Sequence, residues 1–94
     1  MQETDRRPQR TWLRTDRPVV PTKTATWRHL LAVERALHHG LFATPDVKRP
    51  EFYELEIGDH WYYIHIPSRI AGIYLIAAGR KSVKESLREL AVVC

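Results

Sequence analysis

The 94-residue chain has a single cysteine, Cys94, and this scarcity excludes an intrachain disulfide. It also lacks a CxxC pair, a glycine-rich phosphate loop and the His/Glu spacing of a zinc site. No Ser-His-Asp or Cys-His arrangement is visible in the sequence. We therefore predict no catalytic site, no metal and no cofactor. A lone thiol fits a reducing compartment, and we expect the cytoplasm.

Long apolar runs are missing too, since no stretch approaches the roughly 18 residues that a membrane-spanning helix needs. The N-terminus is polar and arginine-rich, without the apolar region of a secretory signal. We therefore expect no membrane partner. The length predicts one small domain, and the formal net charge of +4 is compatible with a polyanionic partner.

The strongest local pattern is the segment 51–66, EFYELEIGDHWYYIHI, which predicts two strands joined by a tight turn at Gly58-Asp59. This turn pairs Ile57 with His60 and thereby fixes the register of the hairpin. One face then forms a core face, made of Tyr53, Leu55, Ile57, Tyr62, Ile64 and Ile66. We call the opposite side the outer face of the hairpin; it carries Phe52, Glu54, Glu56, Trp61, Tyr63 and His65.

Helical patterns flank the hairpin on both sides. Apolar residues at 3/4 spacing predict a helix over 25–39, capped by Thr24 or Thr26 and ended by Gly40. A third, wholly apolar strand is predicted around 73–77, and Ser82 begins a capping-box pattern for a second helix. We therefore predict an α+β domain over 24–94 with the order αβββα. In it, a three-stranded antiparallel sheet packs both helices on one face.

Residues 1–23 are predicted to form a basic extended arm, because prolines interrupt the segment and no apolar period appears. Trp12-Leu13 is an apolar pair that could dock onto this domain or another. An arm of this kind can track phosphates, or it can serve only as a solubilising tail. Its candidate phosphate contacts are Arg6, Arg7, Arg10 and Arg14.

Four cations surround the beginning of the second predicted helix, and we call this group the helix start: Arg80, Lys81, Lys84 and Arg88. A helix N-terminus presents unbonded N–H groups and a partial positive charge, so it receives phosphate readily. The alternative is an ordinary solvated helix edge, partly neutralised by Glu85 and Glu89. His60, at the hairpin turn, is a further candidate contact.

Aromatic side chains crowd the outer face of the hairpin, where solvent is expected: Phe52, Trp61 and Tyr63, with His65 beside them. Single-stranded nucleic acid could stack on them. Glu54 and Glu56 share the face and would repel phosphate. A protein partner, a second copy of the chain, or the chain's own arm or 41–50 loop fits this face better.

Three short motifs resemble the double-stranded-RNA-binding domain: Tyr53-Glu54-Leu55, the turn Gly58-Asp59-His60, and the run GRKSVKE over 79–85. The resemblance implies that Lys81, Lys84 and Arg80 would contact phosphates and His60 the minor groove. The same turn is also similar to the Gly-Ser-His-type turn of HicA-type toxins, which are small ribonucleases. That second resemblance would make His60 a catalytic residue.

The function best supported by the sequence is a non-catalytic nucleic-acid-binding module, with structured RNA favoured and phosphate contacts as the mechanism. The alternative is a small adaptor or inhibitor that docks a protein through Phe52, Trp61, Tyr63 and His65. A HicA-like ribonuclease is the third hypothesis.

Overall fold

The computed structural model describes residues 9–21, 27–69 and 72–93, and within them it contains one sheet and two α-helices. The elements are β1 (Thr11–Leu13), β2 (Val19–Pro21), α1 (Trp27–His39), β3 (Leu41–Pro45), β4 (Phe52–Ile57), β5 (His60–His65), β6 (Ile73–Arg80), a 3₁₀ turn (Lys81–Val83) and α2 (Lys84–Val93). The six strands follow the order β1-β3-β4-β5-β6-β2 in a half-barrel. Among the strands of the described residues, only the β2–β6 pair is parallel.

The predicted three-stranded antiparallel αβββα fold is therefore wrong. Three further strands come from segments that the sequence assigned to the arm and the following loop. They are three to five residues long, too short for an alternating pattern to identify them. β1 adds to β3 and β2 adds to β6, so the first described segment supplies both edges of the sheet.

The hairpin prediction is confirmed in its register, from Phe52 opposite His65 to Ile57 opposite His60. Its core face packs with α1 into the larger of two buried clusters, in which Val33 and Leu37 meet Leu55. The remaining buried members are Val19, Ala43, Tyr62, Ile64, Ile73 and Leu75. The predicted core face thus forms the principal core.

The second cluster lies on the opposite side of the sheet, beneath α2. Trp61, Tyr63, Ala77 and Ala91 are buried there. The two helices therefore pack on opposite faces, which corrects the prediction that they share one. The β5–β6 pairing contains a bulge at Tyr63/Ile64. Leu75 and Ala77 of β6 would share a face in a regular strand, but because of the bulge Leu75 lies in the first cluster and Ala77 in the second.

Of the predicted helix ends, one is confirmed and one is wrong. Thr24 and Thr26 lie outside the described residues, whereas Gly40 does end α1, at φ 92° and with its N–H donated to the Ala36 carbonyl at 2.8 Å. The Ser82 capping box is wrong. Ser82 lies within the 3₁₀ turn, and Arg80, which precedes that turn, makes no side-chain cap bond.

Gly40 also lets the Trp12 ring lie directly on the α1–β3 junction, because a Cβ at position 40 would collide with that ring. Gly40→Ala should lower the free energy of unfolding by about 1–2 kcal/mol for the left-handed backbone. Displacing the ring should add about 1–3 kcal/mol. Urea unfolding measures both, and in a Trp12→Ala background only the backbone cost should remain. Equal costs in the two backgrounds would contradict the Trp12–Gly40 contact.

Candidate functional site

Three of the four cations of the helix start pair with the glutamates of the outer face. Arg88 makes a bidentate pair with Glu54, with Nη2–Oε1 at 2.7 Å and Nε–Oε2 at 2.9 Å, and its Nη1 donates to Glu85 at 2.9 Å. The hydrogen bonds to Glu54, followed by the charges of the two carboxylates, raise the pKa of Arg88. The Trp61 indole N–H also donates to Glu54, at 3.0 Å. Arg88 is thus held as part of the packing of α2.

Glu56 forms ion pairs with the two lysines of the helix start. Lys84 Nζ lies 3.0 Å from Glu56 Oε2, and Lys81 Nζ lies 3.7 Å from Oε1. The hydrogen bond from Lys84, together with the charges of both lysines, lowers the pKa of Glu56. Arg80 is exposed and forms no ion pair with any residue of the described ranges. An open depression is lined by Asp59, Arg80, Lys81, Ser82 and Lys84.

The predicted aromatic docking face is not open to a partner. Trp61 and Tyr63 are 0% exposed beneath α2, so a second protein cannot reach them without displacing that helix. Phe52 and His65 are half-buried and stacked at 4.2 Å, with the Arg49 guanidinium 4.0 Å from the Phe52 ring centre. The chain therefore covers this face itself, with α2 and with Arg49 of the 41–50 segment.

Tyr63 anchors the loop before β4, since its hydroxyl donates to the Asp46 carboxylate. Burial raises the pKa of the Tyr63 hydroxyl, and the bond to Asp46 raises it further. Burial of Asp46 opposes its ionisation. Hydrogen bonds from Tyr63 and the Lys48 N–H, with the nearby Arg49 charge, outweigh that and hold the pKa of Asp46 below its ordinary value of 3.8. A carboxyl with a depressed pKa stabilises the fold above its unfolded pKa and loses that contribution as the pH falls through the folded value.

Tyr63→Phe should therefore lower the free energy of unfolding by about 1.5–3 kcal/mol near neutral pH, as expected for loss of a charge-assisted hydrogen bond. The difference from the wild type should shrink below about pH 4, because the variant has less carboxylate stabilisation to lose. Urea unfolding at neutral and acidic pH measures this, with Tyr53→Phe on the other face as the control. A difference that is constant with pH would contradict the Tyr63–Asp46 bond.

A different aromatic pair lies exposed at the β1–β3 edge. Trp12 and Phe42 are 53% and 52% exposed, and their rings meet edge-to-face at 5.0 Å between centroids. Arg10 and Arg14 flank Trp12; both are exposed and neither forms an ion pair within the described ranges. We call these four residues the edge surface. Arg6 and Arg7, the other predicted arm contacts, lie outside the described residues.

The edge surface lies on the same side of the sheet as Lys81, Lys84 and Arg88 of the helix start. Trp12 pairs with Phe42, and Thr44, two residues along β3, pairs with Glu54. Cross-strand partners and alternate residues share a face, so Glu56 lies on this side too, with its lysine partners. Two strand spacings, roughly 10 Å, separate β1 from β4. The role of Phe42 could not be predicted from the sequence, because nothing local pairs 11–13 with 41–43.

A cluster of rings occupies the other side of the sheet, next to the hairpin turn. The His29 ring of α1 lies 6.1 Å from the His60 ring and 5.8 Å from the Tyr62 ring. Arg80 pairs with His60 across β5 and β6 and so shares its face. Burial, and then the charge of His60, lower the pKa of His29. We call these four residues the histidine site; the sequence indicated His60 and Arg80 but not their meeting with His29.

No family model matches the chain, and no curated protein or solved structure matches it either. Within 9–21, 27–69 and 72–93, no cluster of three or more His, Cys, Asp or Glu residues could hold a metal ion. Neither helix of this part of the chain has the length and apolar character needed to cross a membrane.

Proposed function

We propose that this protein binds RNA, stacking unpaired bases on Trp12 and Phe42 and neutralising phosphates with Arg10 and Arg14. The observation that carries the proposal is the edge surface itself. Two large aromatic side chains are half exposed, and Trp12 has an exposed arginine two positions before it and another two positions after it, neither of which makes an ion pair with the described residues. Aromatic faces interleaved with cations are the combination that single-stranded nucleic acid requires.

The free energy expected from base stacking on Trp12 and Phe42 is large enough to support the proposal. Stacking of one base on an aromatic side chain contributes about 1–3 kcal/mol. Trp12 rests against Gly40 and Phe42, so its ring is already ordered before RNA arrives. A preordered side chain loses little conformational entropy on binding, and more of the stacking energy therefore appears as affinity.

Lys81 and Lys84 of the helix start supply a second set of phosphate contacts on the same side of the sheet as the edge surface. Lys81 and Lys84 are paired with Glu56 but remain partly exposed, at 45% and 35% of their side chains. Exposed ion pairs contribute only about 0–1 kcal/mol, so a phosphate can compete for these lysines. An RNA with a duplex next to unpaired bases would use both surfaces. A cytoplasmic location would give access to such RNA.

The test is fluorescence anisotropy with a labelled hairpin RNA that carries a single-stranded tail. Trp12→Ala/Phe42→Ala should weaken binding at least about tenfold through lost stacking. Leu90→Ala, which shortens another exposed apolar side chain, should leave affinity unchanged and serves as the control. Wild-type affinity in the double variant would overturn the assignment of the edge surface.

The same assay at several salt concentrations tests the arginines. Arg10→Ala/Arg14→Ala should weaken binding and reduce the salt dependence by about one released counterion for each arginine. Arg35→Ala/Arg69→Ala removes the same charge from exposed positions elsewhere and provides the matched control. An equal loss in both double variants would indicate attraction to net charge only and would count against a defined site.

A further inference from the structure

We propose that the histidine site cleaves RNA by transfer of the phosphodiester to the neighbouring 2′-hydroxyl, with His29 and His60 as general base and general acid. The inference rests on the proposed function for its substrate and adds a reaction to it. It comes from a juxtaposition that only the fold creates: a histidine of α1 beside a histidine of the hairpin, with an arginine on the same face.

The geometry suits two proton transfers at one phosphorus atom. The attacking and leaving oxygens lie on opposite sides of the phosphorus, so base and acid must stand apart and face a common space. The two imidazoles come from different elements, with ring centroids 6.1 Å apart and ring planes inclined by 52°. Both side chains are half-buried, so part of each ring is exposed to solvent. The buried Tyr62 ring lies next to both imidazoles, with ring centroids 5.8 Å from His29 and 6.2 Å from His60.

The lowered pKa of His29 suits the role of base. Burial and the charge of His60 both disfavour its imidazolium, so near neutral pH it is the neutral, proton-accepting partner. The charged groups around the pair are Arg80, across the β5–β6 ladder, and Asp59, next to His60 in the turn. His60, the other imidazole of the pair, is then assigned the role of acid.

The reaction balances without a metal, cofactor or co-reactant. His29 takes the proton of the 2′-hydroxyl, the oxygen forms a bond to phosphorus, and the bond from phosphorus to the 5′-oxygen breaks. His60 gives its proton to that leaving oxygen. The products are a 2′,3′-cyclic phosphate and a 5′-hydroxyl end, and exchange with water restores both histidines.

Arg80 supplies the electrostatic part. Its guanidinium makes no ion pair with the described residues, so its charge is available to the phosphorane as negative charge develops on the oxygens. Arg80 also borders the depression lined by Lys81, Ser82 and Lys84. The depression can therefore hold the next phosphate of the same strand and position the scissile one.

The experiment incubates the full chain, in EDTA, with a labelled RNA of about 20 nucleotides. A 2′-O-methyl copy of the RNA serves as the substrate that cannot react. Wild-type protein should cut only the unmodified RNA, and mass spectrometry should identify the 2′,3′-cyclic phosphate. His29→Ala and His60→Ala should each slow cleavage at least about 100-fold, the effect expected of a lost general acid or base. His38→Ala, a histidine at the far end of α1, should cleave at the wild-type rate.

Anisotropy with the 2′-O-methyl RNA separates the two proposals. Histidine variants that bind this RNA like the wild type but do not cut it would support a catalytic role. Wild-type protein that binds the RNA and leaves it intact would overturn the inference while the proposed binding stands. Cleavage by both histidine variants at the wild-type rate would overturn it too. Failure of the wild type to bind would remove the proposed function itself.

Discussion

The β4–β5 hairpin presents buried apolar surface on both of its faces, and the rest of the fold depends on covering them. The core face alone would need only α1. The outer face carries Trp61 and Tyr63, both fully buried, and it requires a second layer. α2 provides that layer. A small chain thus uses its two helices on opposite sides of one sheet, and the short strands β1 and β2 extend the sheet at its edges.

Covering the outer face creates an electrostatic requirement, because Glu54 and Glu56 stand beside the buried aromatics. Carboxylates next to apolar surface are costly unless cations pair with them. Arg88, Lys84 and Lys81 on α2 and the preceding turn fulfil this need. The same side chains that suit a phosphate site therefore hold the helix in place. Arg10 and Arg14 of the edge surface form no ion pair with the described residues, which is why we propose RNA binding there rather than at the helix start.

The parts of the molecule that are governed by local patterns could be predicted from the sequence. The hairpin register follows from strict alternation and a two-residue turn, and the end of α1 follows from Gly40. The sheet could not be predicted in full, because Thr11–Leu13 and Val19–Pro21 become strands only by pairing with distant segments. The packing of α2 on the outer face could not be predicted either, because it too depends on contacts between residues far apart in the chain.

The candidate site, too, could be predicted only in part. The sequence indicated His60, the helix-start cations and Arg10 and Arg14 as separate features. It could not show that His29 meets His60, or that Phe42 meets Trp12, since these contacts join elements far apart in the chain. The sequence placed Glu54 and Glu56 on the outer face. Their cationic partners could not be predicted, because the ion pairs form only if α2 packs on that face. Tertiary packing, rather than residue type, decides which cations are available.

The central claim is that RNA bases stack at the β1–β3 edge, and the most direct test is an NMR titration with a 2′-O-methyl oligonucleotide. The chain has three tryptophans, so its indole N–H signals are readily resolved and assigned. We predict that the Trp12 signal shifts on binding, whereas that of Trp61, buried and bonded to Glu54, stays in place. Shifts at the backbone amides of 80–84 with an unmoved Trp12 signal would contradict the account and locate binding at the helix start alone.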